Sequence, residues 1–413
     1  MKPLKTITIV GAGPSGLFCA YLFLKAGYKV DLYDSTPGIG RKFLVAGKGG
    51  LNITNSEELD GFSKRYGKDQ ALFKSLLKDF SPQDLRQWCD EIGVKTFIGS
   101  TGRIFPEKFN AGEFLNKWKS KLNNYQDFSF YPQYYLVEMT DEKEMTFIHK
   151  SERKIIKPSI AILTLGGGSW KKTGSDGQWT KFLSELGLKI LPLLPMNCGF
   201  NVNWSDRFLS NCEGKPLKNI AIKFEEEVTK GEIMITSYGI EGGAIYAMSH
   251  FFREKILDAG KCIIKIDLKP DLSAEKIRKK LTEKRGKDSL KNSLRKKINL
   301  SDAGYQLLIE RSDRTELNDL NYLVEVIKNL PIELHSMRPI DEAISTSGGI
   351  CFSNLTKNLE FRKIKDLYCA GEMLDFETIT GGYLLQGCFS SSYRVFKAIA
   401  LEKSGPQGSE DHQ

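Results

Sequence analysis

The stretch ITIVGAGPSGLFCAYLFLKAGYKVDLYD, residues 7 to 34, constrains the fold more than any other part of the chain. Ile7, Thr8, Ile9 and Val10 are β-branched and predict a buried strand. Gly11, Gly13 and Gly16 follow at once in the order G-x-G-x-x-G, with Pro14 and Ser15 inside the motif. From Leu17 to Lys25 the apolar residues recur at helical spacing, Gly27 ends the helix, and Tyr28 to Tyr33 predicts a second strand. Asp34 closes that strand, eighteen positions after Gly16. In such a unit the first glycine permits a tight turn, the second lets a pyrophosphate approach the backbone, and the third lets helix and strand pack closely. The helix N-terminus presents free N–H groups to the phosphates, and the acid accepts hydrogen bonds from an adenosine ribose. Strand, glycines, helix, second strand and acid stand in register, which predicts a bound dinucleotide. The acid favours a free 2′-hydroxyl, hence FAD or NAD over NADP, and does not separate those two.

The rest of the chain is long enough for two or three domains, at 413 residues. Its 40% apolar and 27% charged content excludes a disordered chain. It contains no run of eighteen apolar residues, so no membrane span is expected. Eight cysteines form no CxxC pair and no cluster of zinc spacing. A reduced, cytoplasmic protein without a structural metal is the simplest reading. The charge is uneven. Residues 276 to 297 hold eleven Lys or Arg against Glu283 and Asp288, a local balance of +9 that equals the net charge of the whole chain. Such a run is either a solvated helical face or a contact for the phosphates of RNA.

After Asp34 and Ser35 comes a long glycine-rich loop to about residue 58, expected to wrap the cofactor. Arg41 and Lys42 are placed to reach a pyrophosphate, and Lys48 and Asn52 are candidates near a reactive ring. Residues 57 to 94 predict helices, and a helix begins near Ala111. Strands are expected near 127–137, 145–149 and 159–165, the last running into Gly166, a further candidate for cofactor contact. That glycine run lacks the full fingerprint, so no second dinucleotide-binding domain is expected. From Lys189 short strands predict a small sheet or barrel, followed by the basic segment with a thin apolar stripe (Ile277, Leu281, Leu290, Leu294, Ile298) and helix from 301 to 329. The chain then returns to its first domain, with a strand into Gly371 and Glu372, and Gly381-Gly382 opening a long helix whose N-terminus can stabilise negative charge.

These residues carry a resemblance. The first motif with Asp34, GRKFLVAGKGGLNITN (40–55), GRIFP (102–106), GEIMITSYGIEGGAI (231–245), TSGGI (346–350) and AGEMLDFETITGGYLLQ (370–386) together resemble the BaiN/RdsA family of FAD-dependent oxidoreductases, over essentially the whole chain before its tail. The resemblance implies an α/β fold: a Rossmann-like FAD-binding domain of glutathione-reductase type, interrupted by an inserted β-barrel plus helical domain. The domains would be 1–189 and 336–401 for FAD, 190–335 for the insertion, and 402–413 a disordered tail. Gly11, Gly13, Ser15 and Gly16, with Arg41, would hold the pyrophosphate and Asp34 the ribose. Gly371 and Glu372 would lie along the ribityl chain, and Gly382, Tyr383 and Leu384 beside the pyrimidine edge of the flavin. Two departures stand out. The family loop more often reads SGGGRCN where this chain has AGKGGLN at 46–52, and SGP where it has Glu241, Gly242 and Gly243.

Flavin chemistry needs no catalytic triad, metal or dithiol. Lys48 and Arg103 are the candidates for positioning an anionic or carbonyl group. His250 and His335 are lesser candidates for an acid or base. The expected activity is hydride transfer from NADH or NADPH, through FAD, to a C=C bond conjugated to a carbonyl, in a small molecule or in a uracil of RNA. The alternative is a flavin-containing protein that binds RNA through residues 276–297.

Overall fold

A computed structural model describes residues 5–47, 50–282 and 288–402, the side chains as far as residue 400. The chain packs as two compact units, one formed by the residues up to Leu194 and from Ile344 onward, the other by Pro195–Ala343.

The first unit is built on a five-stranded sheet in the order 367–369, 160–163, 6–10, 29–34, 128–132, with every pairing parallel. Strand β1 (Thr6–Val10), helix α1 (Pro14–Lys25) and strand β2 (Lys29–Asp34) form its opening βαβ unit. Ile7, Ile9, Val30 and Leu32 are fully buried, as parallel strands covered on both faces must be. The helix Tyr383–Phe396 lies against α1, with the Phe18 and Phe389 rings 5.0 Å apart. The Ser392 hydroxyl donates to the Ser15 carbonyl at 3.2 Å, so the end of the chain completes a structure that its beginning opened. Two small antiparallel sheets join this unit, one from 54–55, 103–106 and 96–98, the other from 135–139, 145–149 and 152–156. The loop expected after β2 is partly regular: Arg41–Ala46 is helical and Thr54–Asn55 is a strand. Phe43 is the reason, because it buries against Phe114 and Trp118 and pins the segment.

The second unit carries an antiparallel sheet in the order 330–334, 262–267, 216–224, 227–236, 239–241, 200–201, 336–337. Its first and last members are separated by His335 alone, and the His335 amide donates to the Asn201 carbonyl at 3.0 Å. The ladder therefore returns to the strand on which it started, which makes it a barrel. Pro331 obscures this closing run in the sequence, since proline argues against an interior strand. Helices at 243–259, 274–282, 290–298, 302–311 and 320–328 accompany the barrel. Ser289, Ser301 and Asp319 cap three of them through side-chain oxygens. Of the apolar stripe in the basic segment, Ile277, Leu294 and Ile298 are buried in the core of this unit, with Leu281 and Leu290 packed at its edge. The unit begins and ends later than residues 190 and 335. Strand 190–196 pairs with 345–350 rather than with the barrel, and 336–337 pairs with 200–201.

All eight cysteines are buried and none is in a disulfide. Among the described residues no helix is long and apolar enough to cross a membrane, and no group of three His, Cys, Asp or Glu could hold a metal.

Candidate functional site

The three motif glycines do three different things. Gly11 has φ +108°, and a Cβ there would stand 2.2 Å from the Thr164 carbonyl oxygen. At Gly16 a Cβ would lie 1.8 Å from the Gly11 carbonyl oxygen, so only hydrogen fits. Gly13 is the opposite case, with no atom of the described residues within 4 Å of a Cβ built on it. The space is open at the N-terminus of α1, where Gly13 is the N-cap and no side chain caps the helix. Uncapped N–H groups facing an opening at a glycine are what a pyrophosphate needs. Pro14 costs nothing at this position, because its missing N–H would have had no helical partner.

Asp34 is a structural residue as well as a candidate ligand. Its carboxylate accepts the Ala12 amide at 2.6 Å, the Thr36 amide at 2.8 Å and the Thr36 hydroxyl at 2.6 Å. A carboxylate has about four acceptor positions, so room remains for one ribose hydroxyl. Ser35, beside it, is half-buried, and Arg41 at the start of the 41–46 helix is exposed.

Lys42 and Glu372 meet. The ammonium lies 2.7 Å from Glu372 Oε2 and 2.7 Å from Ser169 Oγ, while Glu372 Oε1 accepts the Thr346 amide at 3.2 Å. The Lys42 charge is thus shared with a carboxylate instead of standing free for phosphate. Gly371, φ +85°, packs on Ser15, where a Cβ would come within 2.2 Å of the Ser15 hydroxyl oxygen. Cys388 lies beneath them, and burial pushes its thiol up to about 12, which keeps it protonated and inert.

At the 383–396 helix, Gly382 (φ +90°) passes so close to Thr54 that a Cβ would lie 2.5 Å from the Thr54 Cα. No side chain caps this helix either. Tyr383 is held from three sides. Its hydroxyl donates to Glu57 at 2.8 Å, Arg65 binds the same carboxylate at 2.8 and 3.1 Å, and the Tyr66 hydroxyl donates to the Tyr383 carbonyl at 2.7 Å. The Arg65 hydrogen bond holds the Glu57 carboxyl below its ordinary value, and burial raises the Tyr383 phenol to about 12. Leu384 packs at the edge of the core. The Asn52 carboxamide oxygen is buried without a hydrogen-bond partner among the described residues. An orphaned acceptor in a loop beside a glycine cradle is what a bound ring with N–H donors would satisfy.

The remaining candidates are placed as follows. Gly166 has φ +71°, and its carbonyl accepts the Trp179 indole N–H at 3.0 Å, so that oxygen is already engaged. Arg103 is exposed on the 103–106 strand. Lys48 lies outside the described residues. His250 and His335 belong to the Pro195–Ala343 unit, His250 against Phe251 and His335 with Nδ1 3.5 Å from Glu333. Thr36, Thr164, Ser169, Glu57 and Arg65 stand out only in the structure. No motif marks them: Thr164, Ser169 and Glu57 act through partners more than a hundred residues away, and the short-range bonds of Thr36 to Asp34 and of Arg65 to Glu57 follow no periodic spacing.

The fold and the cradle define a two-unit enzyme of the dinucleotide-binding Rossmann class. The sequence profile of the HI0933-like protein Rossmann domain matches residues 5–398, and the chain belongs to that family, the BaiN/RdsA family of FAD-dependent oxidoreductases. It is 24% identical over 412 residues to a 3-dehydro-bile acid delta(4,6)-reductase of Clostridium scindens, covering 96% of this chain and 99% of the relative. It is 24% identical over 404 residues to a ribosomal RNA dihydrouridine synthase of Haemophilus influenzae, covering 95% and 98%. Among solved structures, a 3-ketosteroid delta1-dehydrogenase from Sterolibacterium denitrificans aligns with a TM-score of 0.53 at 11% identity, covering 96% of this chain and 100% of the other. A flavocytochrome c3 fumarate reductase aligns with a TM-score of 0.54 at 14% identity, covering 97% and 79%. These last two likenesses are of fold.

Proposed function

We propose that this protein uses FAD to reduce a C=C bond conjugated to a carbonyl, drawing hydride from NADH or NADPH in the cytoplasm. The observation that carries this reading is the opening at Gly13 on an uncapped helix N-terminus. Around it, Gly11, Pro14, Ser15 and Gly16 would hold the pyrophosphate, with the exposed Arg41 adding charge. Asp34 would hold the ribose through its remaining acceptor position, next to Ser35. Glu372, fixed by Lys42, would keep one carboxylate edge for ribityl hydroxyls beside Gly371. The uncapped amides of Gly382, Tyr383 and Leu384 would favour negative charge on a ring carbonyl, and Asn52 would accept from a ring N–H. Bound FAD supplies N5, which accepts a hydride and passes it on. Lys48 and Arg103 would hold the polar end of the substrate. The names of the relatives, a bile acid delta(4,6)-reductase and rRNA dihydrouridine synthases, describe reductions of this kind.

The test is an anaerobic absorbance spectrum of the purified protein before and after NADH or NADPH. A yellow protein that bleaches supports the reading, and one that takes up no FAD overturns it.

A second reading, an RNA uracil reductase or a flavin-containing RNA-binding protein, is favoured by the basic segment. Lys276, Arg278, Lys279, Lys280 and Arg295 are exposed there, whereas Lys291 and Lys296 are paired with Asp302 and Asp288. Lys284, Arg285 and Lys287 lie outside the described residues. Five phosphate contacts would give a log–log salt slope of about −3.5 for single-stranded RNA. A slope near zero removes this reading. RNA binding by a flavin that neither nicotinamide reduces would favour the binding protein over the enzyme.

A further inference from the structure

The helix Tyr383–Phe396 has no acid in its first turn and no side chain capping it. A carboxylate from a distant segment reaches its first residue instead, since Glu57 Oε2 accepts the Tyr383 hydroxyl at 2.8 Å. Alone, that negative charge would oppose the binding of an anionic ring at the helix N-terminus. Arg65 cancels it. The guanidinium donates from Nε to Oε2 at 3.1 Å and from a terminal nitrogen to Oε1 at 2.8 Å, and its central carbon lies 5.8 Å from the centre of the Tyr383 ring. Two-point contact of this kind fixes orientation as well as charge.

The local chain builds this arrangement. Glu57 precedes the short helix Leu59–Lys64, and Arg65 is its C-cap, so one and a half turns of helix bring the two side chains together. Phe62 and Tyr66 anchor the helix in the core, where the Phe62 ring meets the Tyr383 ring edge-on at 4.7 Å. The Glu57 amide donates to Asn55 Oδ1 at 3.0 Å, and the Asn55 side-chain amide donates to the Gly381 carbonyl at 3.4 Å. Residues 55–66 thus grip both the glycine turn and the first residue of the 383–396 helix. Each partner favours the charged form of the other, holding the Glu57 carboxyl low and the Arg65 guanidinium high. Their side chains are 26% and 43% exposed, and a pair so open to water adds little stability. Its consequence lies in what it does to Tyr383 and to the charge beside it.

We propose that Glu57 and Arg65 are positioning residues for the flavin: they hold Tyr383, and their balanced charges set the reduction potential of bound FAD. The proposal rests on the FAD-dependent reading above and adds two residues that tune the cofactor without touching it. Reduced FAD carries negative charge on its pyrimidine ring that oxidised FAD lacks. A stranded positive charge near Tyr383 therefore favours the reduced form, and a stranded negative charge opposes it. With the pair intact neither acts, and the amides of the helix N-terminus are left to decide the balance.

The test is the reduction potential of the FAD-loaded protein, measured anaerobically against a reference dye. Both sites are partly exposed, so the variants are expected to fold. Glu57→Gln keeps an acceptor for the Tyr383 hydroxyl and strands the Arg65 charge. It should raise the ratio of affinities for reduced over oxidised FAD by about tenfold, a shift of about +30 mV for two electrons. Arg65→Gln strands the Glu57 charge and should lower the ratio by about tenfold. Arg65→Lys keeps the charge and loses the two-point contact. It should stay within about threefold of the parent, as should the double variant Glu57→Gln/Arg65→Gln. A pair with a structural role alone would shift both single variants the same way, and Arg65→Lys with them. That result, or an unchanged potential in both single variants, overturns the proposal. Failure of the parent protein to take up FAD would instead count against the reading on which the proposal rests.

Discussion

The Lys42 ammonium and the Glu372 carboxylate stand 2.7 Å apart, joining positions separated by 330 residues. Their side chains are 22% and 10% exposed, so each relies on the other for its solvation. Lys42→Met leaves the Glu372 carboxylate with the Thr346 amide as its remaining partner in the cradle. The expected loss is about 1–3 kcal/mol in chemical denaturation of the apoprotein. Adding Glu372→Gln should restore most of it. Strictly additive losses in the double mutant would show that the pair does not act as a unit.

Gly13 and Gly16 should respond oppositely to alanine. Gly13→Ala meets no atom of the described residues, so the apoprotein should lose no more than about 1 kcal/mol, the ordinary difference between glycine and alanine at an N-cap. Its methyl would occupy the opening, and flavin fluorescence titration should show FAD affinity reduced by about tenfold or more. Gly16→Ala forces a methyl into the Gly11 carbonyl and should destabilise the apoprotein by about 3 kcal/mol. Equal FAD affinity in Gly13→Ala and the parent would move the pyrophosphate elsewhere.

The Asn52 oxygen is desolvated without a compensating partner among the described residues. Asn52→Leu should therefore leave the apoprotein as stable as before, or more stable by up to about 1 kcal/mol. The rise in melting temperature on adding FAD should shrink in the same variant. A clear loss of apoprotein stability would mean that the amide has a structural partner.

Asp69 sets a pH dependence. Burial, opposed by Lys68 and reinforced by Asp375 and Glu377, raises its carboxyl to about 6. The folded state thus holds this proton more tightly than the unfolded chain, whose aspartates titrate near 3.9. The ionised group penalises folding above pH 6, and the penalty fades as pH falls from 6 toward 4. Because Asp69 is only half-buried, the effect is discounted to about 1 kcal/mol. Asp69→Asn should gain that amount at pH 8 and nothing at pH 4. An equal gain at both values would assign the effect to packing.

The dinucleotide motif was legible because every feature of it is local. Ile7 to Val10, the three glycines and Asp34 lie within one βαβ unit, where spacing alone dictates strand, turn and helix. The buried stripe of Ile277, Leu294 and Ile298 was legible for the same reason, since helical periodicity reports which face is covered. The tertiary structure alone decided what these residues touch. Lys42 pairs with Glu372, Ser392 reaches Ser15, and residues 330–337 close the barrel across Pro331. Such contacts join segments far apart in the chain, and a hydrogen bond leaves no periodic trace in sequence. Once the sheets and helices bring two segments together, desolvation selects the partners.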